Sequence, residues 1–297
     1  MADTASLRRT TIRGAATIAA LGLLTAGVAW AETAETALAS PWVVEQAART
    51  RVVAGAASGP GQPTTIYAGL EIRLEDGWKT YWRNPGSSGV PPRIDVEGSE
   101  NLAKAELLFP APHRFKDRDG DTIGYKQTVV LPVALTPKDP SKPIVLKLAA
   151  ELGICREVCI PVQPSLGLTV PAGTSNAPPA PALVAALARV PELSANLADA
   201  PRVERIRTEL SGAKPRVVID AQFPGDADGG DIFLEAPDGA WIPLPTPAGL
   251  AESGARRFVV DLSDGTDLAD LRGRAIRATL VSGKGQSETR FDLVEAR

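Results

Sequence analysis

Cys155 and Cys159 are the only two cysteines in the 297-residue chain, and three residues separate them. Two thiols at this spacing could form a small structural disulfide, exchange electrons with other thiols, or help to bind a soft metal ion. In the chain-entropy model, closing a five-residue loop stabilises a fold by about 2 kcal/mol, against about 4.7 kcal/mol for a hundred-residue loop. Because a structural bond here would contribute little, the spacing favours redox exchange, with a structural disulfide and metal binding as alternatives.

The three residues between the cysteines must turn if a disulfide forms. In an extended strand the two α-carbons would be about 13 Å apart, which is beyond disulfide reach. We therefore expect Arg156-Glu157-Val158 to form either a tight loop between two strands or one helical turn. Arg156 could stabilise a thiolate electrostatically, whereas Glu157 would oppose this. Pro161 favours an extended chain beyond the pair.

Few other side chains could complete a metal site. A closed zinc site takes four Cys or His ligands, and the chain has only His113 beside the two cysteines. We therefore expect no zinc and no cofactor, and Cu(I) held by the two thiolates is the remaining metal alternative. His113 lies between Pro112 and Arg114 in a loop-like stretch and is interpreted as an exposed or capping residue.

Residues 1–31 have the pattern of a cleavable signal peptide. A basic segment containing Arg8, Arg9 and Arg13 precedes an apolar run of about 14 residues, and Ala29-Trp30-Ala31 fits a cleavage site. The apolar run is shorter than the roughly 20 residues that span a bilayer. We predict export from the cytoplasm to an oxidising compartment, in which a disulfide can persist. The pair Arg8-Arg9 leaves open whether the route is general or twin-arginine.

Charge argues against nucleic acid as a partner. The formal net charge is −3, and no cluster of Lys and Arg appears that could neutralise a phosphate backbone.

Short alternating segments separated by Gly/Pro turns predict an all-β protein with two domains. The first domain is assigned to residues 41–170, and Asn84-Pro85-Gly86 and Asp117–Asp121 are predicted turns. Thr128–Val133 is expected to be buried on both faces, or to form an edge strand because of its proline. The predicted strands are 52–53, 64–74, 127–135, 144–152 and 159–170, and then 216–221, 231–235, 257–262, 275–281 and 289–294.

The second half of the chain shows no chemistry of its own. Residues 171–199 are predicted to be a Pro/Ala-rich linker that contains a short helix, Ala182–Val190. Leu183, Ala186 and Leu187 share one face of this helix, which could dock on either domain. Residues 200–297 form the second small β-domain, which lacks Cys and His and is therefore interpreted as structural or partner-binding.

Four segments of the chain occur in an order that is typical of one family. The segments are Gly77-Trp78-Lys79-Thr80-Tyr81-Trp82-Arg83-Asn84-Pro85-Gly86, Pro110-Ala111-Pro112-His113-Arg114-Phe115, Ile123-Gly124-Tyr125 with the following Val129–Pro132, and Gly153-Ile154-Cys155-Arg156-Glu157-Val158-Cys159-Ile160-Pro161. They resemble the N-terminal periplasmic domain of the thiol:disulfide interchange protein DsbD and its copper-tolerance relatives. The resemblance covers about Trp42 to Val170, and its first and last segments are the most specific.

This resemblance implies an immunoglobulin-like β-sandwich in the periplasm with a redox-active pair, Cys155 and Cys159. Such a domain receives electrons from a membrane-embedded thiol donor and passes them to periplasmic thiol–disulfide proteins. Because the sequence contains no transmembrane domain, we expect the donor to be a separate protein. The resemblance also favours Cys159 as the attacking thiol. The tight cysteine spacing is closer to that of the copper-tolerance relatives, which leaves the identity of the partners open.

In that family a short loop covers the cysteine pair. Here it would lie within Phe115–Tyr125, with Phe115 and Tyr125 as candidate shielding rings and core packing as the alternative. We expect Lys116–Gly124, which is rich in Asp and Gly, to form a hinge rather than a core strand. Trp78, Tyr81 and Trp82 are interpreted as core or rim packing. The competing functions are a binding or scaffold protein with a structural disulfide, and a Cu(I)-buffering protein.

Overall fold

The structure is a computed structural model that describes residues 38–58, 64–117, 120–174, 179–225, 229–263 and 265–295. The predicted signal peptide, residues 1–31, lies outside the described residues. Thirteen strands precede the first helix: β1 Leu38–Ala39, β2 Val43–Glu45, β3 Ala48–Ala57, β4 Thr65–Leu74, β5 Lys79–Gly86, β6 Arg93–Asp95, β7 Leu102–Leu107, β8 His113–Asp117, β9 Gly120–Lys126, β10 Thr128–Pro137, β11 Ile144–Cys155, β12 Cys159–Val162 and β13 Ser165–Val170.

The remaining elements are two short α-helices, two 3-10 turns and seven strands within the described part of the chain. They are α1 Pro181–Leu187, the turn Ser194–Asn196, β14 Arg202–Glu209, β15 Arg216–Gln222, β16 Asp231–Glu235, the turn Pro237–Gly239, β17 Thr246–Leu250, β18 Arg256–Asp261, α2 Leu268–Leu271, β19 Ala275–Ser282 and β20 Gly285–Asp292. None of the helices described is long and apolar enough to cross a membrane.

Two antiparallel sheets pack face to face in the first half of the chain. The first sheet has the order β1-β3-β4-β10-β7 with β2 paired to β3, and the second has the order β12-β11-β5-β9-β8 with β6 and β13 paired to β11. Their inner faces share one apolar core that includes Leu70 and Leu131 from the first sheet and Ile123 and Leu152 from the second. The expected all-β, immunoglobulin-like sandwich is confirmed.

Strand β10 shows that a proline does not confine a strand to the edge of a sheet. It lies between β4 and β7, with Pro132 opposite Gly69, and Val129, Val130, Leu131 and Val133 are buried. Of the two alternatives for this segment, burial on both faces is therefore the one observed. Val130 faces away from the sandwich core and packs against α1.

Helix α1 docks on the outer face of the first sheet. Leu183 and Ala186 are buried against Val53 and Val130, with Leu187 partly buried beside them. The helix starts with a proline at its first turn and ends at Leu187, three residues before the predicted end.

The second half of the chain forms two smaller sheets, β14-β15-β18-β17 and β16-β19-β20. They enclose a separate apolar core that includes Ile219, Phe258, Ile232 and Leu280. Phe233 is different because its ring lies 5.8 Å from that of Trp82 and belongs to the first core.

One turn prediction and most of the hinge prediction in the first half were wrong, whereas the chain does reverse at the predicted turn Asp117–Asp121, between β8 and β9. Asn84-Pro85-Gly86 lies within β5, where the pairing to β9 is irregular between Tyr81 and Gly86. Thr122 to Tyr125 are buried in β9, so most of the expected hinge is a sheet strand. Both segments are rich in residues typical of turns, but cross-strand pairing and burial override that local preference.

Candidate redox site

The two cysteines lie at the closed end of a β-hairpin. Cys155 ends β11, Cys159 begins β12, and the two face each other in the antiparallel register. They form a disulfide with a Cα–Cα distance of 4.1 Å. Of the two turns expected for Arg156-Glu157-Val158, the tight loop between strands is the one observed. Buried Leu152 and Val162, which also face each other, anchor the hairpin in the sandwich.

The two sulfur-bearing residues differ in exposure. Cys155 is 8 % exposed, whereas Cys159 is exposed at the start of the edge strand. Val158, at the tip of the loop, is 70 % exposed. A thiol arriving from solvent therefore meets Cys159 first.

Tyr81 places a hydroxyl on the exposed cysteine. Its Oη lies 3.2 Å from Cys159 Sγ, and the hydroxyl is the donor because a disulfide sulfur carries no hydrogen. Burial, followed by the negative charge of Asp117, raises the pKa of this phenol. Tyr81 therefore stays protonated at neutral pH and can donate a hydrogen bond to a Cys159 thiolate as well as to the disulfide.

Two glycines make room for the Tyr81 ring. A Cβ on Gly153 would lie 3.3 Å from Tyr81 Cδ2, and one on Gly89 would lie 2.6 Å from Tyr81 Cδ1. Real Cβ atoms essentially never approach as closely as the second distance, so a side chain at position 89 would displace the ring. Tyr81 is buried, as its interpretation as core or rim packing implies, and its contact with Cys159 is an additional role. The strand pairing explains this role. Lys79 is the partner of Cys155, and Tyr81, two residues further along β5, points to the same face of the sheet as Lys79 and Cys155.

Lys79 is the β5 residue that faces Cys155. Its buried side chain ion-pairs with the Asp117 carboxylate and donates a 2.8 Å hydrogen bond to the Thr122 hydroxyl. Burial tends to raise the pKa of Asp117, but hydrogen bonds from Lys79 and Thr122 outweigh it and hold this pKa below its ordinary value. Asp117 is therefore a carboxylate at neutral pH, and its ion pair with Lys79 involves the strand residue opposite Cys155.

Arg156 lies in the loop between the cysteines, and its side chain reaches an aromatic ring. Its guanidinium carbon is 5.6 Å from the centre of the Trp78 ring, a distance within the range of cation–π attraction. This contact places Trp78 at the rim of the site beside the loop.

The two candidate shielding rings lie on different sides of the second sheet. Phe115 is half-buried, and the ammonium groups of Lys79 and Lys126 lie 5.7 Å and 4.5 Å from its ring centre. Tyr125 is buried in the sandwich core and donates a 2.7 Å hydrogen bond to the Pro110 carbonyl. It therefore faces away from the disulfide, and only Phe115 remains a candidate shield.

His113 lies apart from the cysteines. Its Nε2 is 3.3 Å from an Arg189 guanidinium nitrogen, and burial, followed by the charge of Arg189, lowers its pKa. Among the described residues, no group of three or more His, Cys, Asp or Glu side chains is arranged to hold a metal ion.

Comparisons with known proteins agree with the geometry. Residues 46–171 match the family model described as thiol:disulfide interchange protein DsbD, N-terminal. The fold is similar to the crystal structure of the N-terminal periplasmic domain of ScsB from Proteus mirabilis, with a TM-score of 0.65 and 22 % identity over 88 % of this chain and 100 % of that one. No curated protein matches the sequence. The resemblance predicted from the motifs is confirmed by the match of residues 46–171 to the DsbD N-terminal family model.

Proposed function

We propose that this protein is a periplasmic thiol–disulfide relay that carries two electrons on the Cys155–Cys159 pair. The observation that carries the proposal is the asymmetry of the disulfide. Cys159 is exposed and hydrogen-bonded by Tyr81, whereas Cys155 is covered. A structural bond has no need of one open sulfur with a hydroxyl donor beside it, but an exchanging bond does.

The exchange runs through a mixed disulfide. A thiolate of the donor attacks Cys159 Sγ, the Cys155–Cys159 bond breaks, and Cys155 leaves as a thiolate. A second donor thiolate then attacks the donor sulfur bonded to Cys159, so the donor leaves with its own disulfide and Cys159 leaves as a thiolate. With an oxidised client the same steps run in reverse, because the Cys159 thiolate attacks the client and Cys155 resolves the mixed disulfide.

Two neighbouring side chains support these thiolates. The Tyr81 hydroxyl stabilises the charged form of Cys159 by donating a hydrogen bond. Lys79 lies opposite Cys155 in the strand pairing, and its ammonium favours the thiolate form of Cys155, which is the leaving group. Phe115, held between Lys79 and Lys126, is proposed to limit access to the pair.

The location and partners are part of the same proposal. Export by the signal peptide of residues 1–31 would bring the protein to the periplasm, and the structurally similar domain of ScsB is a periplasmic domain. The electron donor would be a membrane-embedded thiol protein, and the clients would be oxidised periplasmic thiol–disulfide proteins.

A pair of single-cysteine variants tests the relay. C155S leaves the open thiol without its resolving partner and should accumulate mixed disulfides with clients and with glutathione. C159S leaves only the covered thiol and should accumulate few. Equal trapping by both variants would contradict the assigned roles. A reduction potential of the wild-type pair well below about −300 mV would show a structural bond instead of a relay.

A further inference from the structure

The hairpin of β8 and β9 contacts the redox site with one of its faces. On this face Asp117 pairs with Lys79, Thr122 accepts a hydrogen bond from Lys79, and the Phe115 ring lies 5.7 Å from the Lys79 ammonium. Lys79 in turn faces Cys155 across the strand pair. A displacement of the hairpin would therefore move the Phe115 ring, the candidate shield, and would also change the ion pair of Lys79 with Asp117.

The opposite face of the same hairpin contacts the second β-domain. Arg114 Nε and Nη2 donate hydrogen bonds of 2.8 and 2.9 Å to the two carboxylate oxygens of Asp231. Arg114 also donates to the Pro245 carbonyl at 3.0 Å and to the Asp121 carboxylate at 3.2 Å. Its guanidinium lies 5.6 Å from the centre of the Phe233 ring. One arginine thus joins both strands of the hairpin to β16 and to the loop before β17.

This ion pair has the properties of a fixed contact. The Arg114 side chain is 13 % exposed, and although burial would lower its pKa, the hydrogen bonds and charge of Asp231 raise it. Removing the charge of Asp231 would leave Arg114 paired only with Asp121, which lies on the hairpin itself, in a poorly solvated place. The hairpin would then lose its ion pair to β16 and become free to shift.

We propose that the second β-domain positions the β8–β9 hairpin over the redox pair, with Arg114 and Asp231 as the positioning residues. They act through Phe115 and Asp117 and touch neither sulfur in the proposed exchange. This inference rests on the proposed relay, because it assigns the second domain control over how readily small thiols reach Cys159. The proposal thus assigns a function to residues 200–297, which contain no cysteine.

The test uses the full-length chain and two small probes, dithiothreitol for the oxidised form and iodoacetamide for the reduced form. In D231N the neutral amide replaces the charge, and we expect both reactions to accelerate by about three- to tenfold. The pH at which alkylation is half-maximal should also shift, which a general loss of stability would not cause. D231E keeps the charge and should react at a rate between those of the wild type and D231N.

The matched control is D220N. Asp220 accepts hydrogen bonds of 2.7 and 3.0 Å from Arg257 within the second domain, and this pair lies on strands β15 and β18, away from the hairpin. Its loss should leave both rates within about twofold of the wild type. Equal acceleration in D231N and D220N would overturn the positioning proposal, as would unchanged rates and an unchanged pH midpoint in D231N.

The relay and the positioning proposal can fail separately. A wild-type disulfide that dithiothreitol cannot reduce in the folded protein would overturn the relay, whatever D231N does. A wild-type disulfide that exchanges normally, with D231N identical to it, overturns only the role of the second domain. If D231N does not fold, D231E decides the matter, since wild-type rates in D231E would show that the exact placement of the carboxylate has no effect on the site.

Discussion

At the scale of single residues, the Tyr81 hydroxyl offers the sharpest test of the site. Y81F keeps the ring in its slot between Gly89 and Gly153 but removes the donor to Cys159. We expect the thiolate pKa of Cys159 to rise and alkylation at pH 7 to slow, because the charged sulfur loses a hydrogen bond worth about 1.5–3 kcal/mol. The measurement is the pH profile of alkylation of the reduced protein.

The control for this variant is Y67F. Tyr67 packs beside α1 on the first sheet, so removing its hydroxyl should leave the alkylation profile unchanged. If Y81F and Y67F give the same profile as the wild type, the hydroxyl of Tyr81 does not act on the thiolate.

Asp117 gives a pH dependence with a definite sign. Its folded-state pKa lies below the ordinary value of 3.8, so its carboxylate stabilises the fold above that pH, and the contribution is lost as pH falls through the lower, folded-state pKa. The difference in unfolding free energy between wild type and D117N should therefore be constant near pH 6 and shrink below about pH 4. Denaturant unfolding across this range measures it. A difference that does not vary with pH would show that the Lys79–Asp117 pair contributes nothing in solution.

The cysteine pair was identifiable from the sequence, because two lone thiols in a chain with the pattern of an export signal restrict the chemistry. The turn between the cysteines and the resemblance to the family followed from spacing and motifs, whereas the redox use of the pair stays a prediction. Tyr81 and Lys79 were not found, because an aromatic ring and a lysine in a strand are usual in many roles. Only the pairing of β5 with β11 brings them to the sulfurs.

At the scale of elements, the β11–β12 hairpin should keep its form without its disulfide. Its register places buried Ile154 and Leu152 opposite Ile160 and Val162, so packing holds the strands together. Reduction, or the double variant C155S/C159S, should cost about 2 kcal/mol of unfolding free energy, as expected for so small a loop. Thermal and denaturant unfolding of oxidised and reduced protein test this. Loss of the fold on reduction would favour a structural disulfide over a relay.

The strands that sequence patterns found are those with regular alternation, such as β4, and those with long apolar runs, such as β10. β5 and β9 were missed for a physical reason. Both carry glycines and polar residues in buried positions, including Lys79, Thr80 and Thr122, whose hydrogen-bond partners lie on other strands. Such residues resemble those of loops until their partners are known.

At the scale of the whole molecule, ion pairs join the sandwich of the first half of the chain to the sheets of the second half. Arg83 makes two 2.8 Å hydrogen bonds to Glu235 and a further ion pair with Glu288. All three side chains are largely buried. R83M should destabilise the protein by about 3–5 kcal/mol, because Glu235 loses its counter-charge and Glu288 keeps only the longer, 3.8 Å ion pair with Arg277.

The control for R83M is K104M. Lys104 pairs with Glu106 at 2.7 Å on the exposed surface of β7, and such pairs contribute about 0–1 kcal/mol. Denaturant unfolding should therefore separate the two variants clearly. Equal costs would mean that the Arg83 contacts are solvated and do not hold the domains together.

The ion pairs between the two halves of the chain could not be predicted from the amino-acid composition. Asp231, Glu235 and Glu288 are scattered along the chain and look like ordinary surface charges of a second domain. Their partners, Arg83 and Arg114, lie in the two family motifs that also carry Tyr81 and Phe115. Each of these two motifs therefore contributes one residue to the redox site and one arginine to the contact with the second half of the chain. Only the folded structure shows the second contribution.

The exposure of a single sulfur has a consequence for kinetics. If only Cys159 can be attacked, the protein that delivers electrons and the protein that receives them must occupy the same place, one after the other. No ternary complex would form, and turnover with varied donor and client concentrations would follow a ping-pong scheme with parallel double-reciprocal lines. An excess of oxidised donor or of reduced client would then lower the turnover rate, because it would compete with the reactive partner for the same place on the protein.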